Sequence, residues 1–467
     1  METRLGPTAE IRYFPRRTQG FLAISNYALR RTLLRAPRDN GKAHSVSRRR
    51  QFEPIVITGI GLIASVGADR ESVWNAVKLG KSGVRRMDER FQRDFGVAIA
   101  APVDIELEYP GQVKNTALCM RTAREALADA EIDFSSVDLE RFACAISGHM
   151  GDTGGVCYSD GSPQVRDASL PPWWTQWLPN TSCVAVANRF GLHGPRISHS
   201  TACASGLIDI MSAADRIRDD HCDIALAGSS EVIHPLMAAG FQSMRVLAHH
   251  DDPAQAPRPF DRNRNGFVMG EGAAMFVIER LSHAQRRGAK IYAELAGTRL
   301  MSEGHHITSL DIESNGLAHL INTTLRDADI APYDVQYINA HGTGTHQNDI
   351  MESRGIREAL GPAADRTWVS STKSMLGHLI NAAGSVELAI TTLALRDGFA
   401  PPTMNLTDPD PEVGLDCIPL VGRSSNRMTN AVKISVAFGG HMAAVALRRW
   451  NDAAIGFGSG DLRRAAA

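Results

Sequence analysis

The sequence predicts a layered α/β fold. Short apolar segments with the length of buried strands alternate along the chain with longer segments of helical periodicity, a pattern typical of strands covered by helices. With 467 residues and 43% hydrophobic content, the chain is long enough to bury a sizeable core and to form two or three domains.

The first element predicted is a buried strand at residues 54–58 that leads, at Gly59 and Gly61, into a loop, followed by a helix at about residues 71–79. Apolar residues recur at helical spacing after Cys203 and again over residues 379–395, so helices are expected there. Further strands are predicted at residues 141–146, 222–227, 273–278, 290–296, 335–339 and 443–447.

The two ends of the chain differ from its middle. Residues 1–52 carry eleven Arg and one Lys against three acidic residues, whereas the whole chain has a net charge of −1. We predict that residues 1–52 are a basic, disordered N-terminal extension; an organelle-targeting peptide and an interaction arm stay open as alternatives. Residues 451–467 are predicted to be a flexible C-terminal tail.

Composition argues against several classes of protein. The near-zero net charge gives no argument for nucleic-acid binding. Seven cysteines without CxxC spacing argue against a disulfide framework and a zinc site, so a reducing, cytoplasmic location is expected, with organelle targeting through residues 1–52 as the alternative. Asn381, Ser385 and Glu387 interrupt the apolar segment 379–395, which predicts a buried helix and not an integral membrane protein.

Cys203 is the candidate nucleophile. It lies in residues 199–206, HSTACASG, where an apolar strand is expected to turn into a helix. The free N–H groups and positive end of that helix would favour the thiolate. A lone cysteine in this setting is also compatible with a small buried hydrophobe, so its companions carry the argument.

Two histidines accompany the cysteine. His341 lies in residues 338–345, INAHGTGT, at the end of a predicted strand, and His378 lies in residues 371–378, STKSMLGH, ahead of a predicted helix. Either one alone could be an ordinary core or surface residue. One cysteine and two histidines, each at an element end beside glycine, indicate a catalytic site.

Two more motifs accompany these: residues 258–272, RPFDRNRNGFVMGEG, between Cys203 and His341, and residues 437–440, AFGG, after His378. With these five motifs, the chain from about Pro54 to Trp450 resembles the β-ketoacyl-(acyl carrier protein) synthases. The similarity is to the elongating, two-histidine type, which includes bacterial fatty-acid enzymes and type II polyketide ketosynthases.

The resemblance implies a thiolase-like fold, in which two similar α/β halves form a five-layered arrangement. Residues 53–298 would be the N-terminal half with the nucleophilic cysteine, and residues 299–450 the C-terminal half with the catalytic histidines. The resemblance also implies a homodimer, or a heterodimer with a ketosynthase-like partner.

The family chemistry assigns roles to these residues. Cys203 would take an acyl group from an acyl carrier protein, with the backbone N–H groups of Cys203 and Phe438 as the oxyanion hole. His341 and His378, as neutral imidazoles, would hold the thioester oxygen of malonyl-acyl carrier protein while CO2 leaves. A helix N-terminus beside His378 would lower its pKa. No metal or other cofactor is expected, since the phosphopantetheine arm belongs to the carrier.

Several neighbours have two interpretations each. On pattern alone, Lys373 is a solvated loop lysine, and Glu352 and Asp349 are surface acids. The resemblance instead makes Lys373 a supporting catalytic residue paired with Glu352. Thr343 and Thr345 either form a turn or bind the phosphopantetheine arm.

Substrate contacts follow from the resemblance alone. Arg245 is either solvated or meets the acidic carrier protein. Met150 matches a position that lines the acyl pocket. Trp173, Trp174 and Trp177 either pack at an interface or shorten the acyl cavity. Ala437 and His441 stand where the fatty-acid enzymes have glycine and threonine, and the stiffer alanine predicts altered motion of a gate at Phe438.

The predicted function is therefore that of an acyltransferase. It would catalyse the decarboxylative Claisen condensation that elongates a fatty acid or polyketide and yields β-ketoacyl-acyl carrier protein and CO2. The alternative is a non-catalytic partner subunit resembling a chain-length factor, against which Cys203 argues. The motif from Lys373 to His378 argues against a degradative thiolase and a coenzyme-A-primed initiation synthase.

Overall fold

The computed structural model describes residues 53–108, 112–148 and 178–451. The N-terminal extension, Met150, the three tryptophans Trp173, Trp174 and Trp177, and nearly all of the C-terminal tail lie outside these residues. Within the described ranges, no helix is long and apolar enough to cross a membrane.

Among the described residues, one sheet has ten strands, five from each half of the chain. The first half supplies β1 (Ile55–Ala64), β4 (Phe142–Gly148), β5 (Arg196–Ile197), β6 (Ile224–Glu231) and β7 (Gly272–Arg280). The second half supplies β8 (Ala293–Ser302), β9 (Tyr337–Asn339), β10 (Trp368–Ser370), β13 (Asn430–Val436) and β14 (His441–Arg449). Two small separate pairs are β2 (Arg85–Arg86) with β3 (Ile99–Ala100), and β11 (Phe399–Ala400) with β12 (Arg423–Ser424).

The helices of the described residues are numbered along the chain. They are α1 (Arg70–Lys78), α2 (Glu89–Phe95), α3 (Lys114–Asp129), α4 (Thr181–Phe190), α5 (Ser205–Arg218), α6 (Pro235–Ser243), α7 (Leu281–Arg286), α8 (Gly316–Asp327), α9 (His346–Leu360), α10 (Lys373–Leu376) and α11 (Ala383–Asp397).

The two halves repeat one strand order. The first runs β1-β7-β6-β4-β5 and the second runs β8-β14-β13-β9-β10. In each, the first two pairings are antiparallel and the last two are parallel. The halves join where β1 pairs with β8 at Val56–Glu294 and Ile57–Ala293. The predicted α/β fold with two similar halves is confirmed.

The helices complete five layers. α5 and α11 pack together in the centre, and α11 contacts strands of both halves. Every residue of α11 from Ala383 to Leu395 is therefore buried. α3 and α4 cover the outer face of the first half, whereas α8 covers β8 and β14 of the second half and α9 packs against α8.

One local prediction is wrong. Gly59 and Gly61 do not open a loop, because β1 continues through both of them to Ala64. A Cβ at Gly61 would lie 1.9 Å from the carbonyl oxygen of Thr122, and one at Gly59 would lie 2.2 Å from that of Ala126. These glycines are needed for the close approach of α3 to the strand, and not for a turn.

Candidate active site

Cys203 lies in a single 3₁₀ turn, Ala202–Ala204, directly before α5. The residue before it, Ala202, adopts a φ of +47°, a left-handed conformation that a non-glycine residue seldom takes. This sharp turn places the thiol at a cavity of about 550 Å³. The sequence-based placement of Cys203 at the start of a buried helix is correct.

The loop before Cys203 is anchored by Asp209 of α5. The Oδ1 atom of Asp209 accepts a hydrogen bond from the backbone N–H of His199 at 3.2 Å and lies 2.6 Å from Nδ1 of the His199 ring. Asp209 is completely buried, and its hydrogen bond raises the pKa of His199. Sequence reasoning missed this pair; a lone acid on the apolar face of the helix was the available signal.

The thiol and the two imidazoles meet at this cavity. Sγ of Cys203 and one ring nitrogen each of His341 and His378 lie within 4.8 Å of one another. The two rings stand edge to face, with centroids 5.3 Å apart. The three side chains thus converge from distant parts of the sequence, as the motifs predict.

His378 is held on both sides of its peptide. Its backbone N–H donates to the carbonyl of Val268 at 2.6 Å, and its carbonyl accepts from the N–H of Gly270 at 2.9 Å. Its Nδ1 accepts from the backbone N–H of Ile380 at 3.2 Å. A neutral ring that accepts at Nδ1 carries its hydrogen on Nε2, so His378 is a hydrogen-bond donor through Nε2.

Two side chains, Glu352 and Lys373, form hydrogen bonds with the backbone of His341. Glu352 accepts from the N–H of His341 at 2.5 Å and from that of Gly342 at 2.7 Å. Lys373 donates to the carbonyl of His341 at 2.5 Å, and its Nζ lies 3.4 Å from Nδ1 of the ring. Because an ammonium group can only donate, this ring also carries its hydrogen on Nε2.

The same contacts bear on metal binding. By distance alone, Cys203, His341 and His378 could ligate one ion. A histidine that binds a metal through Nε2 normally donates a hydrogen bond from Nδ1, whereas here both Nδ1 atoms face donors. The arrangement favours hydrogen-bond donation over metal ligation.

Burial determines the charge states at the cavity. Burial, reinforced by the positive charges of Lys373 and Lys433, lowers the pKa of His341 and of His378 well below the usual value, so both rings are neutral. The predicted helix N-terminus does lie beside His378, because a 3₁₀ turn at Ile380–Ala382 leads directly into α11 and the N–H of Ile380 donates to Nδ1 of His378. Burial also raises the pKa of the Cys203 thiol to about 12, which the charge of Lys373 offsets only in part. The expected resting thiolate is therefore not supported.

Lys373 is not solvated, and its predicted pairing with Glu352 is wrong. Its Nζ lies 2.5 Å from Oε1 of Glu387, and both side chains are 1% exposed. The two oxygens of Glu352 are instead occupied by the backbone N–H groups of His341 and Gly342. Burial raises the pKa of Glu352 to about 7. The partner of Lys373 is determined by distances in the folded protein, and the spacing of motifs along the sequence does not reveal them.

The other oxygen of Glu387 binds a second lysine. Nζ of Lys433 lies 2.6 Å from Oε2 of Glu387, and the lysine side chain is completely buried. Sequence reasoning missed both residues. The signal was a single charge inside each of two apolar runs, Val386 to Leu388 and Val432 to Ile434.

The remaining predicted residues line the cavity where the structure describes them. Phe438, Thr343, Thr345 and the exposed Arg245 all contribute to its wall, whereas Met150 lies outside the described residues. The hydroxyls of Thr343 and Thr345 lie 2.8 Å apart, and Thr345 N–H donates to the hydroxyl of Thr343 at 3.2 Å, which fits the turn interpretation. Binding of the phosphopantetheine arm by these residues stays a prediction.

Two further expectations concern Asp349 and the gate. Asp349 is completely buried and accepts from the N–H of Phe260 at 2.9 Å, so it is not a surface acid. In the gate loop, Gly439 and Gly440 take positive φ angles of 86° and 81°, whereas Ala437 does not. The alanine is thus accommodated without backbone strain.

Known proteins share this architecture. Models of the β-ketoacyl synthase N-terminal and C-terminal domains match residues 52–284 and 292–407. The tetracenomycin polyketide synthase ketoacyl synthase alpha subunit of Streptomyces glaucescens is 38% identical over 413 residues, 85% of this chain and 97% of that protein. 3-Oxoacyl-[acyl-carrier-protein] synthase 2 of Coxiella burnetii is 36% identical over 85% of this chain and 98% of its own length.

Solved structures agree. The complex of a type II PKS acyl-carrier protein with its ketosynthase bound to the hexaketide has a TM-score of 0.79 at 32% identity, covering 86% of this chain and 100% of that one. A β-ketoacyl synthase from Burkholderia phymatum has a TM-score of 0.78 at 30% identity, with 85% and 100% covered. Because the two family models together match well over half of its residues, the chain belongs to the β-ketoacyl synthase family.

Proposed function

We propose that this protein condenses an acyl group held on Cys203 with the malonyl group of malonyl-acyl carrier protein, in the elongation of a fatty acid or polyketide. The observation that carries the proposal is the convergence of one thiol and two neutral imidazoles at the wall of one cavity. A thiol can hold the acyl chain covalently, and two N–H donors can stabilise one developing oxyanion.

The first step loads the enzyme. The Cys203 sulfur attacks the carrier's thioester carbon, forming a new C–S bond while the bond to the carrier sulfur breaks. The proton lost by Cys203 leaves on the carrier thiol, so the transfer is balanced. The backbone N–H groups of Cys203 and Phe438 are the proposed donors to the oxyanion.

The second step makes the carbon–carbon bond. The carboxylate of the malonyl thioester leaves as CO2, and its electron pair moves onto the thioester oxygen, where the Nε2–H groups of His341 and His378 stabilise it. The carbanion then attacks the acyl carbon and displaces the Cys203 sulfur, which takes up one proton. Water supplies the proton that the Cys203 sulfur takes up, and every other atom comes from the two thioesters, so we propose that no metal or other cofactor takes part.

The carrier protein is the proposed partner. The hydroxyls of Thr343 and Thr345 at the cavity wall are suited to hydrogen-bond the amides of the phosphopantetheine arm, and the exposed Arg245 is suited to an acidic carrier. A related ketosynthase has been solved with its acyl-carrier protein, which supports this proposal. We also propose a homodimer in the cytoplasm; the free thiols of the six described cysteines suit a reducing compartment.

The loading step gives the direct test. Incubation with a panel of acyl carrier thioesters, followed by peptide mass spectrometry, should show one acyl adduct on Cys203. A Cys203→Ser variant should carry no thioester adduct yet keep its fold by circular dichroism. If no thioester in the panel acylates Cys203, the chain is a non-catalytic partner subunit and the proposed function is wrong.

A further inference from the structure

Lys433 is a buried cation that the reaction above does not use. It lies on β13 beside Asn339 of β9, two residues before His341. Its Nζ lies 2.6 Å from Oε2 of Glu387 and donates to the carbonyl of Ala340 at 3.3 Å and to that of Ile434. With no exposed surface, the ammonium depends wholly on these protein partners.

Glu387 joins this lysine to the active site. Its Oε1 atom takes Lys373 at 2.5 Å and its Oε2 atom takes Lys433 at 2.6 Å, so each carboxylate oxygen has one ammonium partner. Without Lys433, one oxygen of a completely buried carboxylate would lose its counter-charge. Glu387 would then be free to turn its charge away from Lys373.

Lys373 transmits the position of Glu387 to His341. Its Nζ contacts Glu387, the carbonyl of His341 and, more distantly, Nδ1 of that ring. A row of contacts therefore runs from Lys433 through Glu387 and Lys373 to the imidazole. Lys433 also contacts the carbonyl of Ala340, so it touches the strand end that carries His341 from a second side.

We propose that Lys433 is a positioning residue for decarboxylation, which acts through Glu387 and Lys373 to hold His341 as a donor to the malonyl thioester. It touches no reacting atom, so it is not a catalytic residue. Its influence falls on the step that uses the histidines, and acyl transfer to Cys203 depends on it much less. This inference rests on the proposed condensation.

Charge supports the same assignment. The charged groups packed around the two imidazoles are Lys373 of α10, Glu387 of α11, Lys433 of β13 and Glu352 of α9. Burial is the largest cause that lowers the pKa of His341 and of His378, and the charges of both lysines lower it further. Removal of one positive charge raises the pKa of both rings, so they become protonated at a higher pH. A proton on Nδ1 would face the donors Lys373 and Ile380 N–H, so a protonated ring would lose the position that these contacts fix.

The test compares two half-reactions in Lys433→Met. Release of labelled CO2 from malonyl-acyl carrier protein should fall about tenfold or more, while acylation of Cys203 stays within about threefold of wild type. The acid limb of the decarboxylation profile should move to higher pH. Ser435→Ala is the matched control: Ser435 is equally buried on the same strand and faces α11, where its hydroxyl lies near Gly384.

A double variant tests whether Lys433 acts through Glu387. It also provides a second measurement in case the single variant folds poorly. If Lys433 acts through Glu387, Lys433→Met should add little to the loss already seen in Glu387→Gln. Independent, additive losses would contradict the route. Equal loss of loading and decarboxylation, or an unchanged pH profile, would overturn the inference. If wild type itself neither loads nor decarboxylates, the proposed function fails as well, whereas a fully active Lys433→Met refutes this inference alone.

Discussion

The charge of two imidazoles is the residue property on which the chemistry of this site depends. A protonated ring would still donate hydrogen bonds, but it would add a buried positive charge next to Lys373 and Lys433 at high cost. Burial and these two lysines hold His341 and His378 neutral. The same burial makes each ring a liability in acid, because the unfolded chain can take up the proton that the folded protein excludes.

This argument predicts a pH-dependent difference between wild type and His378→Asn. Below about pH 6.5 the unfolded imidazole binds a proton and the folded one does not, so acidification lowers the free energy of unfolding by about 1.4 kcal/mol per pH unit for one such ring. His378→Asn should lose that slope. Urea unfolding between pH 6.5 and pH 5 measures it as a difference, in which the opposite slopes of buried acids such as Glu231 cancel.

The matched control is His305→Asn, which removes an imidazole that is exposed in the folded protein. Its slope should follow wild type. A His378→Asn slope equal to that of the control would mean that the folded ring takes up protons as freely as the unfolded one, contrary to the proposed neutral donor.

At the scale of elements, β1 can pack closely against α3 because the strand has glycines where the helix backbone approaches it. Gly61 faces the carbonyl of Thr122 so closely that no side chain fits between strand and helix. Backbone atoms cannot rotate aside as a flexible side chain can. Addition of a single methyl group therefore requires the two elements to separate.

Gly61→Ala should lower the free energy of unfolding by about 3 kcal/mol or more, because the new Cβ would lie 1.9 Å from the Thr122 oxygen. Gly240→Ala is the control: Gly240 lies within α6, and a Cβ there meets no atom within 4 Å. That change should instead stabilise by about 0.5–1 kcal/mol through helix propensity. Urea denaturation of both variants checks the pair, and similar values for both would contradict the close approach.

Prediction of elements succeeds or fails for identifiable reasons. β7 and β14 are found because each is a continuous apolar run, and α1 because its apolar residues follow helical spacing. β13 is missed because Lys433 interrupts its apolar run, and the partner that neutralises this lysine lies on another element. A local window contains the period of an element but not its distant partners.

At the scale of the whole molecule, the central layer ties the halves together. α11 belongs to the second half, yet it packs on α5 and on β7 of the first. Thirteen successive residues of α11 are buried, so neither half can cover its inner apolar face alone.

The predicted boundary between residues 298 and 299 falls inside β8, so the pieces to compare are divided before that strand. Residues 53–288 and 289–450, expressed separately, should remain unfolded or aggregate, whereas residues 53–450 should melt in one cooperative transition. Co-expression of the two pieces should restore protease resistance. Circular dichroism melting and limited proteolysis are the measurements. Cooperative melting of residues 53–288 alone would show that the halves are independent domains.

The reactive groups of this protein can be predicted from its amino-acid sequence. Cys203, His341 and His378 stand in short motifs at element ends, and a nucleophile or a donor requires a particular residue type there. The residues that pair with those groups cannot be predicted from the sequence. Lys373 binds Glu387 and not Glu352, and burial keeps the Cys203 thiol neutral. Both properties depend on distances in the folded protein and on the exclusion of water, and segments far apart in the chain determine these together.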